Sequence, residues 1–100
     1  VDPEIIEKHG AVSSECVAQM AEGVRRLTGS DFSVSTSGIA GPGGGSVEKP
    51  VGLVWIGVSS KEGTETMKLV FKGDRKRNIE RFASSALDLL RRKISKELNK

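Results

Sequence analysis

Two spacings of apolar residues alternate along this chain, and each names its own kind of element. Asp2, Pro3 and Gly10 frame a short helix of about two turns, with aspartate as N-cap, proline at the first helical position and Ile5 and Ile6 inside. A second helix is predicted from Ser13 or Ser14. Val17, Met20, Ala21, Val24 and Leu27 recur there at three- and four-residue steps, and Gly29 is its stop. The period then changes to two, with Phe32, Val34 and Thr36 alternating with Ser33, Ser35 and Ser37 as in a strand with one wetter face. From Val51 to Val58 the chain is apolar on both faces, which describes a central strand covered above and below. Ser60 to Gly63 reads as a turn, and Met67, Leu69 and Phe71 alternate with Thr66, Lys68 and Val70, so a hairpin follows. Asp74 caps a last helix whose stripe is Ile79, Phe82, Ala83, Ala86, Leu87, Leu90, Ile94 and Leu98. A strand buried on both faces needs helices on both sides, which predicts a three-layer α/β/α unit with at least three strands in a mixed sheet. No internal repeat or interdomain linker interrupts residues 1–100.

Composition narrows the class. Apolar residues make up 36% of the chain and aromatics only 4%, so the core rests on Val, Ile, Leu and Ala. No stretch approaches the about 20 apolar residues of a membrane span. Val1-Asp2-Pro3-Glu4 is not a signal-peptide pattern, and a single cysteine excludes an internal disulfide. A cytoplasmic protein is expected. Residues 1–71 carry six Lys/Arg against nine Asp/Glu, whereas residues 72–100 carry ten against four. The basic end suits a polyanion such as nucleic acid or, the favoured reading, a solvated helix face, since its cations interleave with apolar positions and no aromatics stand ready to stack on bases.

Between the first two strands lies Ser35-Thr36-Ser37-Gly38-Ile39-Ala40-Gly41-Pro42-Gly43-Gly44-Gly45. Such a glycine cluster suits a backbone that turns sharply or closes on a ligand, and equally a flexible connection. The nucleoside-triphosphatase loop is excluded, because Gly44 and Gly45 stand where Lys and Ser/Thr should grip phosphate and magnesium. The dinucleotide fingerprint fails as well: Ser46 replaces its third glycine, and Pro50 leads into a strand instead of a helix.

The run Ser37 to Gly45, followed by Glu48-Lys49-Pro50-Val51-Gly52, closely resembles the signature of the CinA C-terminal domain, the nicotinamide-nucleotide amidase family. The resemblance extends to Lys8-His9-Gly10-Ala11-Val12-Ser13 upstream and to Phe71-Lys72-Gly73-Asp74-Arg75 downstream. It implies hydrolysis of the carboxamide of nicotinamide mononucleotide to nicotinic acid mononucleotide and ammonia. In that family a Ser-Cys-Thr-Gly-Gly motif carries the proposed nucleophile, and a Tyr-Ser strand end followed by a lysine activates it. This chain has no tyrosine, and Ser14-Glu15-Cys16-Val17 does not match the motif. The resemblance therefore implies the C-terminal portion of one domain, with the catalytic groups in an N-terminal segment or on a second chain, and no catalytic residue here.

What this chain is expected to supply is substrate binding. Ser37, Gly38, Ile39, Ala40, Gly41, Pro42, Gly43 and Gly44 would place backbone N–H groups and a hydroxyl around a polar or anionic group. The alternative is a structural crossover turn. Lys49 is read as a point charge for a phosphate or as an exposed loop lysine, and Arg75 as a bidentate anion clamp or a surface ion pair. His9, at a helix end, is expected to interact with the last carbonyls, and Cys16 and Trp55 to pack. Trp55 can also form the wall of a pocket at the sheet edge. Neither cofactor nor metal is expected. The expected partners are nicotinamide mononucleotide, the missing segment and further copies of the chain as a homo-oligomer. A different class of function is an interaction module that binds nucleic acid or repair proteins through the basic terminal helix.

Overall fold

A computed structural model describes residues 2–39, 51–72 and 74–98. The elements are α1 (Pro3–His9), α2 (Ser14–Thr28), β1 (Phe32–Gly38), β2 (Leu53–Ser60), β3 (Gly63–Val70) and α3 (Arg75–Leu98). The caps fall where the spacing put them. The Glu4 N–H donates to Asp2 Oδ1, the Cys16 N–H to Ser13 Oγ and the Arg77 N–H to Asp74 Oδ1, while Gly29 ends α2 in the left-handed conformation.

The sheet has strand order β1-β2-β3, with α2 on one face and α3 on the other. All its pairs are antiparallel, Val34 opposite Val58 and Ile56 opposite Met67, so no parallel pair occurs among the described residues. β2 and β3 are joined by a two-residue turn, which cannot make the crossover a parallel pair requires.

The two faces of β2 are built differently. Toward α3, Val54, Ile56 and Val58 pack with Phe82, Ala86 and Leu89 in an apolar core, joined by Val34, Met67, Leu69, Phe71 and Leu90. Toward α2 the layer combines buried Cys16, Val17 and Ala21 with serines of the strands. Ser33 Oγ donates to the Ala21 carbonyl at 2.5 Å and Ser35 Oγ to the Val17 carbonyl at 2.6 Å. Those carbonyls are four residues apart, one helical turn, while the serines are two apart on a strand; the two repeats match closely enough for α2 to lie along β1. Gly57 lets it approach, since a Cβ there would lie 2.5 Å from the Val17 oxygen. Arg25 Nε closes the row by donating to Ser59 Oγ at 3.1 Å.

This packing revises two of the predicted stripes. On α2, Cys16, Val17 and Ala21 are buried, but Val24 and Leu27 are exposed, because the sheet face they would cover ends in serines held by hydrogen bonds. On α3 the buried line is Asn78, Phe82, Ala86, Leu89 and Lys93, whereas Ile79, Leu87 and Leu98 stay in solvent. The expected stripe on α3 thus merges two faces of one helix. Buried Lys93 reaches Glu97 at 3.3 Å and Glu65 at 3.6 Å, so its charge is compensated.

Candidate functional site

The direction of each element decides what meets at the glycine-rich connection. Beside β1 the α2 carbonyls descend from Ala21 at Ser33 to Val17 at Ser35, which brings the N-terminus of α2 to the level of Ser37. On the opposite face, Phe82 sits at Gly38 while Leu98 and Phe32 line one recess, so α3 is antiparallel to β1 and also begins at that end. Two helix N-termini, each the positive end of a helix dipole, therefore flank the place where β1 leaves the sheet and β2 enters it.

Ser37 is half-buried opposite Trp55. Gly38 has a packing reason to be glycine: a Cβ there would lie 2.7 Å from Phe82 Cε2 and 2.8 Å from the Leu53 carbonyl. Ile39 donates its N–H to the Leu53 carbonyl, and its own carbonyl accepts from the Gly52 N–H, which pins the two sides of the connection together. Gly52 has φ +94°, and a side chain on it would fall on the Phe71 carbonyl. Ala40, Gly41, Pro42, Gly43, Gly44 and Lys49 lie outside the described residues. Arg75 is the first, exposed residue of α3, and belongs to the same end as Ser37 and Gly38.

The composition of that end of α3 matters most. Its first turn holds Arg75, Lys76 and Arg77 with no acidic residue, against the helix dipole, and Lys72 stands just before. Lys72, Lys76 and Arg77 make no ion pair among the described residues. The far half of the helix behaves in the opposite way. Arg91 and Arg92 pair with Asp88 at 2.9 and 2.8 Å, Lys93 with Glu97 and Glu65, and Lys96 with Glu65 at 3.9 Å. Hydrogen bonding from Arg91, helped by the charges of Arg92 and Arg91, holds the Asp88 carboxyl below its usual range. The basic character of the terminal helix is thus quenched over its second half and concentrated at its start.

On the α2 side a recess of about 250 Å³ opens between Ser13, Ser14, Leu53, Trp55, Lys68 and His9. Trp55 forms part of its wall, the second of the two places expected for it, and Lys68 Nζ lies 6.0 Å from the ring centroid. His9 Nδ1 is 3.9 Å from Glu15 Oε1. Cys16 is buried with its thiol against Met20. Lys68 and Lys72 were not singled out by spacing; only their neighbourhood in the fold brings them to this end.

Residues 1–94 match the family model of the CinA C-terminal domain. The chain belongs to the CinA family. It is 52% identical over 94 residues to a CinA-like protein of Endomicrobium trichonymphae, covering 94% of this chain and 22% of the relative. With a CinA-like protein of Fervidobacterium nodosum it shares 50% identity over 96 residues, covering 96% and 24%. Among solved structures, the competence damage-inducible protein A of Klebsiella pneumoniae superposes with a TM-score of 0.88 at 36% identity, covering 95% of this chain and 59% of the other. A competence/damage inducible protein of Agrobacterium tumefaciens gives 0.82 at 37% identity, covering 90% and 56%. The chain therefore spans under a quarter of these curated relatives and under two thirds of these solved chains. No helix among the described residues is long and apolar enough to cross a membrane, and no group of three or more potential metal ligands gathers among them.

Proposed function

We propose that this chain forms the nucleotide-holding half of a nicotinamide-nucleotide amidase site, in which the carboxamide of nicotinamide mononucleotide becomes a carboxylate and ammonia leaves. The observation that supports it most is the meeting of two helix N-termini and the cations Lys72, Arg75, Lys76 and Arg77 at the mouth of the glycine-rich connection. That end attracts an anion on both sheet faces, and a nucleotide's phosphate is such an anion. The serine that attacks the carboxamide and the lysine that activates it belong, by the family resemblance, to polypeptide beyond these residues. Attack by the serine oxygen gives a tetrahedral species, and its C–N bond breaks as the nitrogen is protonated and departs as ammonia. Water then hydrolyses the ester and regenerates the serine. Backbone N–H groups of the connection and the hydroxyl of Ser37 would hold the nucleotide or the developing oxyanion.

The test is ammonia release from nicotinamide mononucleotide by the protein complete with its N-terminal segment, beside nicotinamide riboside, which lacks the phosphate. One ammonia and one nicotinic acid mononucleotide per turnover, with the riboside a much poorer substrate, is expected. A complete protein that releases no ammonia overturns the reading. Equal turnover of both substrates removes the part given to the basic end. Binding of nucleic acid along the whole of α3 is disfavoured by the pairing of Arg91, Arg92, Lys93 and Lys96 with carboxylates.

A further inference from the structure

A row of backbone hydrogen bonds continues past the sheet at its glycine-rich end. The Ile39 carbonyl accepts from the Gly52 N–H, and the Gly52 carbonyl accepts from the Phe71 N–H at 2.9 Å, so the ends of the three described strands are tied in one line. Phe71 closes the row. Its ring centroid lies 6.1 Å from that of Phe82, the side chain that leaves no room for a Cβ on Gly38. Both ends of the glycine-rich connection thus rest on one aromatic pair.

Over Phe71 lies a residue that the apolar line of α3 does not explain. Arg81, half-buried on α3, places Cζ 5.7 Å from the Phe71 ring centroid, and its Nη1 donates to the Lys72 carbonyl at 2.5 Å. Arg91 and Arg92 on the same helix turn instead to Asp88. Arg81 stands about 9 Å along the helix axis from Arg75, yet helical side chains lean toward the N-terminus, and its long stem reaches back. A planar guanidinium lies on a ring face and donates from its edge at the same time, whereas a lysine ammonium is a compact point charge without that flat fork. One side chain therefore holds both the ring that closes the hydrogen-bonded row and the backbone of Lys72, the first cation of the basic end.

We propose that Arg81 is a positioning residue for the anion-holding end: without touching the ligand, it sets the cations Lys72, Arg75, Lys76 and Arg77 against the two ends of the glycine-rich connection. This role rests on the amidase reading for the identity of the nucleotide, while the geometry serves any ligand whose phosphate is held there. A cation that acted on the phosphate only through its charge would be replaceable by lysine. A guanidinium that spans the Phe71 ring and the Lys72 carbonyl is not, and this difference separates positioning from simple attraction.

The test compares the protein complete with its N-terminal segment with its Arg81→Lys and Phe71→Leu variants. In Arg81→Lys, KM for nicotinamide mononucleotide should rise about ten-fold with kcat changed less than about two-fold. Turnover of nicotinamide riboside, which has no phosphate to be held, should stay level. Phe71→Leu keeps an apolar side chain but removes the ring face, and should give the same selective loss. Binding of inorganic phosphate, followed through the Lys72 and Lys76 amide resonances without turnover, should weaken about ten-fold in Arg81→Lys. Undiminished use of the nucleotide by Arg81→Lys overturns the proposal. So do equal losses on nucleotide and riboside, phosphate binding that the replacement leaves unchanged, and a parent protein that binds no phosphate. A parent that binds phosphate in an Arg81-dependent way yet releases no ammonia removes the amidase reading and leaves the positioning role standing.

Discussion

Replacing Gly57 by alanine adds a single methyl group where α2 lies against the sheet. Built on the backbone, that Cβ lies 2.5 Å from the Val17 oxygen, 2.8 Å from its carbon and 3.1 Å from Ser35 Oγ. The first two are backbone atoms of α2, which cannot yield alone, because Ser33, Ser35 and Arg25 tie the helix to the sheet at three points. Overpacking of this kind costs about 1–3 kcal/mol. Displacing the Val17 carbonyl also weakens the Ser35 hydrogen bond, whose net worth is about 1 kcal/mol. Relief of glycine's backbone entropy works the other way by roughly 0.5–1 kcal/mol. The balance is a loss of about 1–3 kcal/mol, which lowers a urea midpoint by roughly 1 M at an m-value of about 1–3 kcal/mol/M. Trp55 fluorescence reports the transition. Ser35→Ala, introduced alone and with Gly57→Ala, should cost less in the alanine background than in the parent, because both act on the Val17 carbonyl. An unchanged or raised midpoint for Gly57→Ala refutes the close approach; strictly additive losses refute its transmission through that carbonyl.

Two further outcomes concern charge. Burial pushes the Glu97 carboxyl up, but the Ser60 hydroxyl and the Lys93 ammonium, which donate to it, hold the group below its usual range; its share of stability is present above that range and lost as pH falls through the lowered value. Melting temperature should therefore stay level from pH 7 to 5 and drop below about pH 4, with a shallower drop in Glu97→Gln. At the start of α3, changing Lys76 and Arg77 to glutamate should stabilise the helix by about 0.3–1 kcal/mol each at low salt, an effect that fades at 1 M salt. The same double change should weaken binding of inorganic phosphate, and a variant that gains stability yet binds phosphate as before counts against an anion site there.

The elements were legible because their signals are local. Asp2, Ser13 and Asp74 cap where spacing puts them, and Met67 and Leu69 fall on the side opposite Thr66 and Lys68. Less legible was which of two apolar faces on one helix would be buried. Leu87 and Leu98 have the hydrophobicity of core residues and the right period, whereas buried Lys93 has neither; its burial depends on Glu65 and Glu97, one of them 28 residues away on β3. The serines of β1 misled in a related way. Ser33 and Ser35 read as a wetter face, yet both are buried, because their hydroxyls meet helix carbonyls that no spacing rule on the strand reveals. At the candidate site, Ser37, Gly38 and Arg75 came from the resemblance, whereas Lys68 and Lys72 needed the fold to join them.

The same geometry limits where a catalytic group can arrive. β1 is seven residues long, about 20 Å at 3.3 Å per residue, with the glycine-rich connection and both helix N-termini at one end and Phe32 beside Leu98 at the other. A nucleophile working on a ligand held at the basic end must stand within a few ångströms of Ser37 and Gly38. The open edge of β1 runs the whole way from the Leu98 end to that position. A strand paired along that edge would end next to Ser37, within reach of such a ligand.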